Sequence, residues 1–158
     1  MNQRFNLRQA LNEIVLSYNL NIQNTAISFK LKVQKQTPKE IICDKSRLQQ
    51  IISNLLSNAI KYARSRIYIE VEYRQKKSLL QVIVTDDGIG FAIDKMRYIV
   101  DFMSVTPEFK QQLPKTDGVG MGLYISKAII AKLGGKIQIN TAINAPTSFK
   151  IQIPSQLP

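Results

Sequence analysis

Residues 47–62 read RLQQIISNLLSNAIKY, and this stretch decides the fold. At about 100° per residue, Asn54, Asn58 and Lys61 fall on one face of a helix, with Leu48, Ile52, Leu55, Leu56, Ala59 and Ala63 roughly opposite. Asp44 stands just before the run as an N-cap, and Arg64 follows its last turn. The apolar arc is wide and nearly free of polar atoms, so it calls for a sheet beneath it. A solvated helix face is ordinarily built from Glu, Lys and Gln, whereas two Asn lower helix propensity and require a reason. Two carboxamides and an ammonium in a row suit a site for an anion and a metal. The alternative is a plain solvated face.

Working outward, 6–18 reads as a helix with Leu7, Leu11, Ile14 and Val15 on one stripe. Residues 26–33 alternate as a half-buried strand, 37–39 form a turn and 40–43 a short strand. After the central helix, 66–73 and 79–86 alternate on either side of a polar turn at 75–78, which predicts a hairpin. A short helical pattern spans 93–102. Residues 103–117, MSVTPEFKQQLPKTD, carry two prolines and no clean period, a loop long enough to have a function. A glycine cluster at 118–122 opens a helix to about 133, Gly134-Gly135 ends it, and strands follow at 136–140 and 148–153. Paired strands separated by amphipathic helices predict one α+β domain over 1–158. It is a two-layer sandwich in which helices cover one face of a mixed, mostly antiparallel sheet.

Composition narrows the function. The 158 residues suffice for a real core, and 44% hydrophobic with 21% charged content is globular. No apolar run approaches transmembrane length, and MNQRFNLRQ lacks an apolar signal core, so a cytoplasmic chain without membrane contact is expected. The net charge is +11, but the basic residues are scattered from Arg4 to Lys150 with no recognition-helix or zinc-finger pattern. Nucleic acid is not the expected partner. The absence of histidine removes His triads, His metal sites and imidazole acid–base chemistry. Cys43 excludes a disulfide within the chain and, in the run IIC, reads as a buried inert thiol.

Two further segments carry chemistry. Asp86 ends the strand LLQVIVTD and shares a face with Leu80, Val82 and Val84. If that face is the core face, its carboxylate needs a donor, and an exocyclic amine such as that of adenine suits it. The alternative is an Asp that caps its own turn. Gly88 and Gly90 allow backbone to approach a flat ligand. Gly118-Val119-Gly120-Met121-Gly122 leads into a helix N-terminus, whose free N–H groups suit phosphate. It is neither a P-loop nor a Rossmann fingerprint, since no Gly-Lys-Ser/Thr follows and no strand precedes.

In this order the three segments resemble the ATP-binding catalytic domain of sensor histidine kinases, within the superfamily of gyrase B, Hsp90 and MutL. Residues 44–62 are similar to the family's N box, DDGIG to its G1 box and GVGMGLYISKAI to its G2 box, and the resemblance covers about 5–154. It implies a Bergerat-type fold and Mg-ATP as nucleotide. Asn58 would coordinate Mg²⁺, Asn54 would support the metal and phosphate site, Lys61 would meet phosphate and Tyr62 would pack near the nucleotide. Asp86 would accept from the adenine amine, with Gly88, Ile89 and Gly90 shaping the slot. Gly118, Val119, Gly120, Met121, Gly122 and Leu123 would line the phosphate end, where a lid at about 103–117 closes. Thr147 would reach the adenine side through water, although Pro146 replaces the expected Gly. Asp87 stands where Asn is commoner. The implied activity is transfer of the γ-phosphoryl group to a histidine on a separate dimerisation domain, with a response-regulator receiver domain downstream. The alternatives are an ATP hydrolase of the superfamily, whose members carry Glu at the position of Asn54, and a nucleotide-binding module without turnover.

Overall fold

The structure is a computed structural model and describes residues 1–88, 119–140 and 146–158, with backbone only at 119–121. Among these, β1 (Gln3–Asn6), α1 (Leu7–Asn21), β2 (Ser28–Val33), β3 (Glu40–Cys43), α2 (Lys45–Tyr62), β4 (Arg66–Arg74) and β5 (Leu79–Asp86) precede α3 (Val119–Lys132), β6 (Lys136–Asn140) and β7 (Thr147–Pro154). The helical pattern at 93–102, the loop at 103–117, Ile89, Gly90 and Gly118 lie outside the described residues.

Local chemistry sets the helix ends. The Asn6 side chain accepts from the Gln9 amide at 3.0 Å, and the Asp44 side chain accepts from Arg47 at 3.1 Å. Helix α3 stops at Gly134, whose φ of +75° is left-handed. The Gly135 amide reaches back to the Ile130 carbonyl at 2.8 Å and the Gly134 amide to Ala131 at 3.0 Å, a Schellman closure.

The main sheet runs β2-β4-β5-β7-β6. Strands β4 and β5 form the expected hairpin, with Ile67 opposite Asp86 and Arg74 opposite Leu79. Strand β2 pairs parallel with β4, and the other neighbours are antiparallel. The sheet is thus mixed and mostly antiparallel, as expected. Strands β2 and β3 do not pair with each other. Instead β3 joins β1 in a separate two-stranded sheet. Strand β2 begins at Ser28 rather than 26, because Thr25 bonds back to the Ile22 carbonyl in a turn that ends where β4 becomes available.

One core lies between sheet and helices. It joins Leu7, Leu11 and Ile14 of α1, Leu48, Ile52, Leu55 and Leu56 of α2, and Leu123 and Ile130 of α3 to Ile67, Val82, Val84, Phe149 and Ile151 of the sheet. The apolar face of α2 is therefore the sheet-facing one. Cys43 is buried, and burial together with the adjacent Asp44 charge pushes its thiol up to about 11, which fits an inert core thiol. No described helix is long and apolar enough to cross a membrane.

Candidate functional site

The site is assembled along α2. Its carboxamides, Asn54 and Asn58, sit one turn apart, and Asn54 is turned toward α3. Asn54 is half-buried, and its Nδ2 donates to the Gly122 carbonyl at 3.2 Å and to Ser126 Oγ at 3.1 Å. Asn58 is 5% exposed, and its Nδ2 has no partner among the described residues. A buried amide end without a partner costs about 1–3 kcal/mol. Lys61 is exposed one turn further on, and Tyr62 ends the helix partly buried.

The far end of α2 meets the turn after β5. A Cβ on Gly88 would lie 2.2 Å from the Tyr62 carbonyl oxygen and 2.7 Å from Asp86 Oδ1, so only glycine lets these backbones approach. Asp86 is 3% exposed on the core face, level with Thr147 of β7, which is also buried. Its Oδ1 accepts from the Gly88 amide at 2.9 Å. The two readings of Asp86 are therefore compatible: it caps its own turn and also stands in an apolar setting. Burial raises its carboxyl above the ordinary carboxylate value. The Gly88 amide pulls it back in part, and the neighbouring Asp87 charge adds to the rise.

Asp87 has the opposite environment. Its Oδ1 accepts from the amides of Arg64, Ser65 and Arg66 at 2.9, 3.0 and 3.0 Å, and its Oδ2 accepts from Ser65 Oγ at 2.6 Å. Desolvation opposes ionisation here, but these four bonds outweigh it and hold the carboxyl well below the usual range. One side chain thereby fastens the exit of α2 to the end of β5. Asp87→Ala should lose about 1–2 kcal/mol at neutral pH, discounted for partial exposure. The folded pKa is depressed, so this increment is present above the unfolded value near about 4 and is lost as pH falls below it. Urea unfolding of both proteins should show the gap narrowing in acid. A constant gap would mean that the ionised carboxylate is not the source.

The histidine kinase-, DNA gyrase B- and HSP90-like ATPase family model matches residues 43–157, most of the chain. The chain belongs to this family. It is 30% identical over 154 residues to the signal transduction histidine-protein kinase BarA of Escherichia coli (strain K12), covering 94% of this chain and 16% of BarA. It is 32% identical over 136 residues to the autoinducer 2 sensor kinase/phosphatase LuxQ of Vibrio harveyi, covering 83% of this chain and 16% of LuxQ. The chain thus spans about a sixth of the length of these relatives. The catalytic domain of histidine kinase ThkA superposes with a TM-score of 0.76 at 26% identity, covering 98% of this chain and 95% of that one. Full-length ShkA, in complex with AMPPNP, shares the fold at a TM-score of 0.79 and 22% identity, covering 99% of this chain and 32% of ShkA. The likeness within the family is to the catalytic domain of sensor histidine kinases.

In this histidine kinase-type domain the tertiary structure joins Asn54 to Gly122, Tyr62 to Gly88 and Asp86 to Thr147, although 61–68 residues separate the last pair and the first. Leu123 is buried just beyond Gly122 and packs in the core. The side chains of Val119 and Met121 lie outside the described residues. Reading the sequence alone passes over Ser126, which is fully buried against Asn54, and the stapling role of Asp87. A signal for Ser126 exists in its spacing, since i to i+4 puts it on the face of α3 that carries Gly122.

Proposed function

We propose that this domain binds Mg-ATP and donates the γ-phosphoryl group to a histidine on a separate helical dimerisation domain, as the cytoplasmic catalytic part of a two-component sensor kinase with a receiver domain downstream. The observation that carries the reading is the pair of carboxamides on α2, one clamped to the start of α3 and the other buried with an end unsatisfied among the described residues. In this reading the whole of 1–158 is one catalytic domain, and 103–117 is its lid.

The residues fit magnesium. Among the described residues no group of three or more acidic, Cys or His side chains could hold a metal by itself, so the ion would lean on phosphate oxygens and water, as Mg²⁺ commonly does. Asn58 would hold it, because a half-turn of the amide presents oxygen in place of the unpartnered nitrogen. Asn54 would support it. Bound there, the ion would neutralise charge on the phosphates. Lys61 would add a point charge from the exposed end of α2. Asp86 would accept the adenine amine, with Thr147 beside it, while Gly88, Ile89 and Gly90 form the slot and Tyr62 packs at its edge. The backbone of Gly118, Val119, Gly120, Met121 and Gly122 would meet phosphate at the N-terminus of α3, with Leu123 anchoring that turn in the core. Asn54 is not a base and cannot take a proton from water, which favours transfer over hydrolysis.

Phosphoryl transfer depends on an acceptor in line with the γ-phosphate. The chain has no histidine, so with labelled ATP it should bind nucleotide, turn it over slowly and never label itself on histidine. A histidine-bearing helical domain added in trans should acquire an acid-labile, base-stable label. Brisk turnover by the chain alone would instead establish the hydrolase alternative.

A further inference from the structure

The nitrogen of the Asn54 amide has two partners on one element, the Gly122 carbonyl and Ser126 Oγ, both on α3. A backbone carbonyl only accepts, so the end of the amide facing it at 3.2 Å must be the NH₂ group. The orientation of this carboxamide follows from chemistry rather than from a choice between similar atoms. No described residue donates to its oxygen, which lies 4.0 Å from where a Cβ on Gly122 would stand. Ser126 is fully buried, so its hydroxyl stands in a setting where a lost bond is not replaced by bulk water. Gly122 is not closed against a side chain, since an added Cβ would meet Asn54 at ordinary contact distances of 3.8–4.0 Å. The contact between α2 and α3 at this level is thus made by polar bonds.

We propose that Ser126 is a positioning residue that, with the Gly122 carbonyl, locks the Asn54 amide with its nitrogen toward these two acceptors, keying this position to a carboxamide and against a carboxylate. The inference rests on the reading above that Asn54 supports the metal and phosphate site. A carboxylate here would set an oxygen against the Gly122 carbonyl with no proton between them. The Ser126 hydroxyl could turn to donate, but it could satisfy only one of the two contacts. Placing an acid at residue 54 would therefore strain the α2–α3 contact rather than install a general base.

The test uses the whole chain and has two readouts. In the nucleotide-free protein, the side-chain amide protons of Asn54 should exchange with solvent about tenfold faster in Ser126→Ala than in wild type, followed by nitrogen-15 NMR. By calorimetry, Ser126→Ala should bind ATP about tenfold more weakly with Mg²⁺ and equally well with a chelator present. A purely structural role would lower both affinities together. Asn54→Asp should also lose about tenfold in Mg-ATP affinity, although it keeps an oxygen and adds a negative charge. Ser126→Cys keeps a single polar side-chain atom that is somewhat larger and a weaker acceptor, so it carries the same comparison if Ser126→Ala does not fold. Wild-type amide exchange in the Ser126 variants, or Asn54→Asp binding Mg-ATP as tightly as wild type, would overturn the proposal. If wild-type affinity proves independent of Mg²⁺, the functional reading of Asn54 fails, while the amide exchange still decides the clamp.

Discussion

Gly88→Ala should reduce ATP affinity by well over tenfold and destabilise the apo domain by about 1–3 kcal/mol. The added methyl would stand 2.2 Å from the Tyr62 carbonyl oxygen and 2.9 Å from its carbon, both backbone atoms, as well as 2.7 Å from Asp86 Oδ1. No rotamer change relieves a clash with backbone. Either α2 recedes at its C-terminal end or the turn after β5 opens. Each movement separates Tyr62 from the Asp86–Gly88 turn and breaks the 2.9 Å bond from the Gly88 amide. Gly122→Ala is the control, because among the described residues its methyl meets only the Asn54 side chain, at 3.8 Å or more, and Ala favours a helix by about 1 kcal/mol over Gly. Thermal unfolding should therefore move in opposite directions for the two variants. Equal stability of Gly88→Ala and wild type would show that the close approach is not required.

Asp86→Asn should cost at least tenfold in ATP affinity and narrow the preference for ATP over GTP. A carboxylate only accepts, which suits the adenine amine and opposes the carbonyl that guanine carries in its place. The amide offers a donor where an acceptor is needed. Tenfold corresponds to about 1.4 kcal/mol, within the range for a hydrogen bond to a charged group. The same residue predicts a pH dependence. Burial raises the Asp86 carboxyl above its unfolded value, so protonation begins at a higher pH than for an exposed aspartate. ATP affinity should fall as pH drops into that range, while Asp86→Asn should lack this component. For folding the sign is reversed. A raised folded value means that ionisation costs stability as pH rises through the window. Apo unfolding and nucleotide binding should thus respond in opposite senses to the same proton. Calorimetry giving equal ATP and GTP affinities for the wild type would remove adenine recognition from Asp86.

Much of this domain was legible from local pattern. The α2 helix follows from a 3.6-residue period and an Asp cap, and both act within a few residues. The β4–β5 hairpin follows from alternation on either side of a short polar turn. Asp86 could be placed on the face of Leu80, Val82 and Val84 because side chains in a strand alternate strictly, and burial in the structure shows that this is the core face. Strand β1 was not legible, since its four residues show no alternation and form a strand only because β3 offers an edge. The parallel pairing of β2 with β4 was equally out of reach, because the order of strands is set by how helices cover the sheet.

The site divides in the same way. The sequence by itself determined which residues stand on the polar face of α2 and that Asp86 shares a strand face with Leu80, Val82 and Val84, because these follow from helical and strand periods. Only the tertiary structure decided that Asn58 is buried with a nitrogen unsatisfied among the described residues, that Asn54 is held by Gly122 and Ser126, and that Asp87 collects three amides and a hydroxyl from the exit of α2. Those outcomes depend on the distance between segments that are 21 to 72 residues apart in the chain. Hydrogen bonds reach only about 3 Å, so no periodicity within one segment can specify them.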